Sequence, residues 1–282
     1  MMILDGKAVA KQNEQTLKIK VKHLLDLYGR VPCLKVILVG DSPASMAYVT
    51  SKKKACHRVG MNAEVIQLPV ETTEQTLIDL IQEMNDEKEI DGILIQLPLP
   101  KHMNENKVLN TVSPNKDVDG LHTLNAGKLF TKQDGIIPAT PLGIIMLLKA
   151  YNIDLFGKHA VIMGRSNLVG LPIGKLLLDL NATVTYVHRE TVDPKKYTKD
   201  ADLLVVAIGK ANHVDQSFVK KGVCVIDVGI NRVDGSLVGD VNFEEVSQVA
   251  SYITPVPGGV GPMTISALLH NVIKQFEVKY DR

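Results

Sequence analysis

The stretch His159 to Arg189, HAVIMGRSNLVGLPIGKLLLDLNATVTYVHR, decides the fold of this 282-residue chain. It contains a short apolar run, a turn at Gly164, a helix-like segment over 171–180 and a second run rich in β-branched residues over 182–187. A strand, a turn, a helix and a strand in this order predict a βαβ unit. The free backbone N–H groups and the dipole at the start of such a helix favour binding of a pyrophosphate.

The glycine pattern of this turn departs from the dinucleotide fingerprint G-x-G-x-x-G. Gly164 and Gly170 are present, but Ser166 and Val169 stand where the fingerprint has glycine. Taken alone, the stretch is equally compatible with a dinucleotide site and with an ordinary βαβ crossover.

Charges around the same stretch bear on which cofactor it would bind. NAD-dependent enzymes usually place an acidic residue after the second strand, whereas the 2′-phosphate of NADP requires cations. Here His188 and Arg189 follow that strand, and Arg165 lies in the turn. The pattern favours NADP, and Glu190 leaves NAD as the alternative.

Composition limits the class of protein. The length suits two domains or one large α/β domain, and scarce aromatic residues (4%) among many aliphatic ones suit buried parallel strands. A formal net charge of +1 provides no net attraction to nucleic acid or to an anionic membrane. Three widely spaced cysteines predict neither a disulfide framework nor a zinc site, and no histidine pattern predicts a metal. No apolar stretch approaches 18 residues, and Asp5 and Lys7 interrupt the apolar core that an N-terminal signal peptide would need. We therefore expect a cytoplasmic protein without membrane insertion.

Strands and helices alternate on both sides of the opening stretch. Three apolar runs of the first half are predicted to be buried strands, at 34–40, 63–68 and 92–97. The second half begins with a helix N-capped by Thr140 before Pro141, and ends with a helix over about 263–278. Further strands are predicted at 202–209, 223–230 and 251–256, with a hairpin around 233–236. This alternation predicts an α/β fold with parallel sheets in two domains.

The segment 42–60 is predicted to be a helix with Ser42 as N-cap and Pro43 in its first turn. At 100° per residue, Lys52 falls in the middle of the apolar arc, with Tyr48 one turn away on the same side. Burial would lower the pKa of Lys52, so that its amine could act as a base near neutral pH. The other two lysines of the KKK run are expected to face solvent.

Three further motifs are ambiguous from their residues alone. Gln96 ends an apolar strand and either caps that strand or binds Lys52. Asp117 and Asp119 in KDVDG are typical of an Asx-turn. The glycine-rich segment 257–264 is either a tight turn before the last helix or a backbone that approaches a ligand closely.

Together these motifs resemble one enzyme family over nearly the whole chain. Tyr48-x-x-x-Lys52-x-Lys54, VILVG, IQLPLP, KDVDG, TPLG, GRSNLVGLP, VIDVGINR, GDV and TPVPGGVGPMT occur in the same order in bifunctional methylenetetrahydrofolate dehydrogenase/methenyltetrahydrofolate cyclohydrolases. The resemblance implies a folate-binding catalytic domain (1–139, with helix 263–282 packing back on it) and a Rossmann-type NADP-binding domain (140–262). It also implies a cleft between the two domains and a homodimer.

The resemblance implies catalytic roles for Lys52, Tyr48, Gln96 and Asp119. Lys52, tuned by Gln96, would serve both reactions, Asp119 would bind the pterin, and Tyr48 would stack on the folate. Gly259, Gly261 and Pro262 would line the mouth of the cleft. The implied cofactor-binding residues are Gly164, Arg165, Ser166, Gly170, His188, Arg189 and Ile230.

Two departures and two alternatives accompany this resemblance. Ala139 stands where the family often has cysteine, so a thiol there is not part of the expected mechanism, and 121–123 differ from the common Phe and Pro. One alternative is another two-domain dehydrogenase of the shikimate type, which would leave KDVDG and PGGVGPMT unexplained. The other is a nucleotide-binding sensor without catalysis, in which a buried Lys52 would be costly.

Overall fold

The computed structural model describes residues 1–280, and the chain divides into two compact units. We call Met1–Lys11 with Thr140–Ala267 the six-strand unit, and Gln12–Ala139 with the segment from Leu268 onward the three-strand unit. The sequence-based ranges placed residues 1–11 with the first half of the chain. They cluster with the second half because a short N-terminal strand pairs with a strand near residue 252. The last two residues of the predicted range 263–282 lie outside the described residues.

Helices and strands alternate along most of the chain. The first half contains β1 (Met2–Ile3), α1 (Gly6–Tyr28), β2 (Cys33–Val39), α2 (Pro43–Val59), β3 (Asn62–Leu68), α3 (Glu74–Asp86), β4 (Gly92–Ile95), α4 (Glu105–Thr111) and α5 (Thr123–Phe130). The second half contains α6 (Ala139–Ala150), β5 (His159–Met163), α7 (Gly170–Asp179), β6 (Thr183–Val187), α8 (Lys195–Thr198), β7 (Leu203–Val206), β8 (Cys224–Asp227), β9 (Asn231–Val233), β10 (Ser236–Val238), α9 (Phe243–Val246), β11 (Tyr252–Ile253) and α10 (Val260–Val278). A 3₁₀ turn lies at Gln216–Phe218.

The three-strand unit is built on a parallel sheet in the order β3-β2-β4. Its apolar core joins strand residues such as Ile37 and Ile95 to the buried face of α3, where Leu77 and Ile81 lie. A loop continues the sheet beside β4, since Ile93 N–H donates to the Lys116 carbonyl and a parallel bridge links residues 93 and 117. This register carries residue 119 toward the carboxyl end of β4.

The six-strand unit contains a parallel sheet in the order β1-β11-β8-β7-β5-β6. The chain leaves β5 for β6 on one side and continues with β7 on the other, so the strand order reverses at β5. Ligands of open α/β sheets bind at such a switch point, outside the carboxyl ends of the strands. Close packing of α7 on this sheet requires glycine at Gly174, where a Cβ would overlap the ring of Tyr186.

Most predicted elements are present, with shifted ends. The hairpin around 233–236 is confirmed, as β9 and β10 pair antiparallel across Asp234 and Gly235, both at positive φ. Helix α6 begins at Ala139, so Thr140 lies inside the helix and not at its N-cap. Helix α10 begins at Val260, three residues earlier than predicted. Strand β1 was not predicted, because two residues are too few for a periodic pattern.

Within residues 1–280, no helix has the length and the apolar content that membrane crossing requires.

Candidate active site and cofactor pocket

Lys52 is buried on α2, with 4% of its surface exposed, which confirms the predicted inward orientation. Its neighbours explain the orientation: Val49, Cys56 and Val59 are buried on the same face, whereas Lys54 is exposed. Burial lowers the pKa of the Lys52 ammonium, and the nearby carboxylate of Asp119 partly opposes this effect.

Gln96 is the hydrogen-bond partner of Lys52. Its Nε2 donates to the Leu97 carbonyl at 2.8 Å, which turns Oε1 toward Lys52, and Lys52 Nζ donates to this oxygen at 3.1 Å. The backbone N–H of Gln96 donates to the Ile37 carbonyl of β2 at 2.8 Å. The residue that carries the side-chain amide is therefore fixed to the sheet. Tyr48 completes the cluster, because Lys52 Nζ lies 4.7 Å from its ring centroid.

The two aspartates of KDVDG have different surroundings. Asp117 is buried and accepts hydrogen bonds from Leu121 N–H (3.1 Å), His122 N–H (2.9 Å) and Asn125 Nδ2 (2.8 Å). It therefore shapes the loop, but through donors four and five residues on and not through the bond two residues on that an Asx-turn would have.

Asp119 has no side-chain hydrogen bond to any residue among 1–280, and it is partly exposed. Burial raises the pKa of its carboxyl group, and the charge of Lys52 opposes this rise. Gly120 follows at φ +72°, where a Cβ would lie 2.6 Å from the nitrogen of Pro138, so only glycine fits this turn. The loop thus offers one carboxylate to a ligand near Lys52.

The six-strand unit contains a pocket of about 620 Å³ at the carboxyl ends of β5, β6 and β7. The size suits a small-molecule ligand. It is lined by Met163, Gly164, Arg165, Ser166, Val187, His188, Arg189, Thr191, Pro194, Ala207, Ile208, Lys210 and His213. These residues include two arginines, one lysine and two histidines but no carboxylate, which suits a polyanionic ligand such as a dinucleotide.

The turn after β5 brings the chain close to its own backbone. A Cβ at Gly164 (φ +126°) would lie against the Ala207 carbonyl, and one at Gly170 against the Gly164 carbonyl. Ser166 Oγ accepts the N–H of Val169 at 3.2 Å and that of Gly170 at 3.4 Å, so Ser166 holds the turn that leads into α7. A serine side chain therefore has a structural role at the position of the missing glycine.

The pocket brings together five of the seven predicted cofactor residues. Gly170 and Ile230 are not among its lining residues; Gly170 begins α7, and Ile230 follows β8 and is 58% exposed. Arg189 is exposed and forms an ion pair with Glu190 at 2.7 Å. Glu190 is the acidic residue on which the NAD alternative depended, and its carboxylate is paired with this arginine.

Gly259, Gly261 and Pro262 belong to the six-strand unit. Gly259 precedes α10, and the other two lie in its first turn. A Cβ at Gly259 would lie 2.6 Å from the Pro255 carbonyl oxygen, so close backbone packing accounts for this glycine. The predicted contacts of these three residues with folate stay predictions.

Sequence reasoning missed Lys210 and His213. Both follow β7, and the rule that ligands bind at the carboxyl ends of parallel strands would have drawn attention to a lysine directly after AIG. Among the described residues, no cluster of three His, Cys, Asp or Glu side chains could hold a metal ion.

The amino-acid sequence matches two family models. Residues 4–119 match the catalytic domain of tetrahydrofolate dehydrogenase/cyclohydrolase, and residues 138–280 match the NAD(P)-binding domain of the same family.

Similar proteins cover the chain from end to end. The bifunctional protein FolD of Campylobacter hominis is 52% identical, over 100% of this chain and 99% of that relative. A crystal structure of FolD methylenetetrahydrofolate dehydrogenase/cyclohydrolase from Campylobacter jejuni is 49% identical with a TM-score of 0.97, and covers 99% of both chains. The Trypanosoma brucei enzyme, complexed with NADP cofactor and inhibitor, is 36% identical with a TM-score of 0.95, over 100% of this chain and 99% of that one. The chain belongs to the tetrahydrofolate dehydrogenase/cyclohydrolase family.

Proposed function

We propose that this chain oxidises 5,10-methylenetetrahydrofolate to 5,10-methenyltetrahydrofolate with NADP and then hydrolyses the product to 10-formyltetrahydrofolate. The observation that carries this proposal is the 3.1 Å hydrogen bond from buried Lys52 to half-buried Gln96, within the segment that matches the family's catalytic domain. NADP, when bound, accepts the hydride.

Lys52 suits both reactions because its burial favours the neutral amine. Loss of hydride leaves a positive charge shared by the two folate nitrogens and the carbon between them, and a neutral amine does not repel this charge. In the second reaction a water oxygen bonds to that carbon, one carbon–nitrogen bond breaks, and one of the two water protons ends on the nitrogen that leaves. The other water proton must be taken up by a base. The Lys52 amine accepts this proton, and Gln96 Oε1 binds the resulting ammonium.

Asp119 and Tyr48 hold the substrate in this proposal. The Asp119 carboxylate has both oxygens available for parallel hydrogen bonds from the pterin N3–H and 2-amino group. The half-buried ring of Tyr48 offers an apolar face for stacking. Gly259, Gly261 and Pro262 contribute further folate contacts by family resemblance.

The pocket lined by Arg165, Ser166, His188 and Arg189 holds the cofactor, with Gly164 and Gly170 shaping the turn beside it. Its cationic lining without a carboxylate supports NADP over NAD, because the additional 2′-phosphate adds negative charge. Ile230 is retained as a cofactor contact by resemblance alone.

An absorbance assay tests the proposal. With methylenetetrahydrofolate and NADP, reduced cofactor should form, and added methenyltetrahydrofolate should lose its absorbance as it is hydrolysed. Cofactor binding without either reaction would instead indicate a sensor. Oxidation of a shikimate-type substrate would indicate the other dehydrogenase class. NAD in place of NADP measures the cofactor preference.

The family resemblance supports a homodimer, and the cysteine usage and N-terminal sequence support a cytoplasmic location. Sedimentation of the purified chain should give twice the mass of 30.8 kDa. A monomer at micromolar concentration would contradict this assembly.

A further inference from the structure

The carboxylate of Asp240 holds the loop that follows β7. Asp240 is fully buried, and its Oδ2 accepts the N–H of Ile208 at 2.7 Å and of Gly209 at 2.9 Å. Its Oδ1 accepts the N–H of Lys210 and the Nδ2 of Asn231, both at 2.9 Å. Four donors therefore converge on one side chain, and three of them come from consecutive residues of this loop.

Asp240 is itself held by a second buried carboxylate. Asp227, at the end of β8, accepts the N–H of Asp240 and of Val241 at 3.0 Å. A Cβ at Gly239 would overlap the Asp227 carboxylate, and a Cβ at Gly229 would overlap that of Asp240. This packing explains why glycine stands at position 229 in VIDVGINR and at position 239 in GDV. The proposed chemistry does not explain these two glycines.

The loop held in this way presents a lysine to the cofactor pocket. Ile208 and Lys210 both line the pocket. The Lys210 side chain forms no hydrogen bond or ion pair with any residue among 1–280, whereas Arg189 in the same pocket pairs with Glu190. A cation without a protein partner can bind an anionic ligand without first losing an ion pair.

We propose that Lys210 binds a phosphate group of the dinucleotide and that Asp240 is the positioning residue that fixes Lys210 for this contact. The inference rests on the proposed function, because it identifies the ligand of that same pocket. The phosphate is either the 2′-phosphate, present only in NADP, or the pyrophosphate, which NAD shares.

The first experiment measures NADP binding to the full chain by isothermal titration calorimetry. Lys210→Ala should raise the Kd for NADP about tenfold, the effect expected for one charge-assisted hydrogen bond. Lys210→Arg should keep the Kd within about threefold, since the cation is retained. Lys221→Ala is the matched control, because Lys221 is exposed in the same unit but does not line the pocket. An equal Kd for Lys210→Ala and the control would overturn the proposal.

The second experiment tests the role of Asp240. Asp240→Asn turns an amide NH₂ toward backbone donors, so NADP should bind about tenfold more weakly, while KM for methylenetetrahydrofolate and the cyclohydrolase rate stay unchanged. Because Asp240 acts through Lys210, the double variant with Lys210→Ala should bind NADP about as weakly as Asp240→Asn alone. Multiplied losses, near a hundredfold, would show independent roles and reject positioning.

Two controls complete the test. Asn231→Ala removes one of the four donors and gives the same readout, with an effect of about threefold, if Asp240→Asn does not fold. An unchanged Kd for Asn231→Ala in that case would reject the role of Asp240.

With NAD as ligand, an equal loss for Lys210→Ala assigns the pyrophosphate, and a loss confined to NADP assigns the 2′-phosphate. Wild-type chain without NADP-dependent oxidation would refute the proposed function, whereas active wild type with unaffected variants refutes only this inference.

Discussion

The basic side chains proposed to meet ligands have opposite surroundings in the three-strand unit and in the six-strand unit. Lys52 is buried, joined to one amide oxygen, and its pKa is lowered by burial. The cofactor pocket instead carries exposed cations, such as Arg189 with 83% of its side chain exposed. A proton acceptor must lose its charge, which requires burial, whereas a polyanion requires cations that keep theirs. Substitutions in the two places should therefore differ in size and in kind.

The largest expected effect is at Lys52. Lys52→Met fills the same space without an amine, so the fold should persist and the hydrolysis of methenyltetrahydrofolate should fall about 10²- to 10⁴-fold, the contribution of a general base. Lys54→Met, on the exposed side of the same helix, is the control and should keep the wild-type rate. Hydrolysis at the wild-type rate by the Lys52 variant would show that Lys52 is not the proton acceptor, and the contrast between the two units would then fail.

The second prediction separates the two aspartates of KDVDG. Asp119→Asn should weaken folate binding about a hundredfold, because the amide has no charge and only one acceptor oxygen for the two pterin donors proposed above, and should leave thermal unfolding unchanged. Asp117→Asn should lower the free energy of unfolding by about 3 kcal/mol, because the amide keeps only one acceptor oxygen for the three N–H donors that this carboxylate now holds. Calorimetry and substrate titration of both variants measure the two effects. Equal losses of stability would show that Asp119 is structural too.

The third prediction concerns the pKa of Lys52. Gln96→Glu places a carboxylate beside the amine, which favours the charged form and raises the pKa of Lys52. Since the neutral form is the base, the rise of the cyclohydrolase rate with pH should move about one unit or more toward alkaline pH. Gln96→Met, which adds no charge, should not move the profile in that direction. An alkaline shift of the same size in both variants would argue against an electrostatic role for Gln96.

The smallest effect is expected at Arg189, because its side chain is exposed and already paired with Glu190. Arg189→Ala should raise KM for NADP about threefold to tenfold and change KM for NAD less, as only NADP carries the 2′-phosphate. Steady-state kinetics with both cofactors measure this ratio. Equal losses for both would mean that Arg189 does not contact the 2′-phosphate.

The inward orientation of Lys52 was predictable because helical periodicity depends only on the local sequence. The pairing of Lys52 with Gln96 was open, since two residues 44 positions apart meet only through the register of β2 with β4. The residue types in KDVDG do not distinguish the role of Asp117 from that of Asp119, because the two side chains are chemically identical. Only the path of the loop decides which of them accepts backbone N–H groups.

By itself, the stretch from His159 to Arg189 determined a βαβ unit, and the motifs around it indicated the family. Tertiary structure decided what the departures in that stretch do: Ser166 holds the turn before α7, where the fingerprint would have glycine. It also decided that Lys210, 46 residues after Gly164, lines the same pocket, because β5 and β7 are neighbours in the sheet. Local periodicity follows from backbone geometry within a few residues, whereas a pocket depends on strand order, which no local pattern encodes.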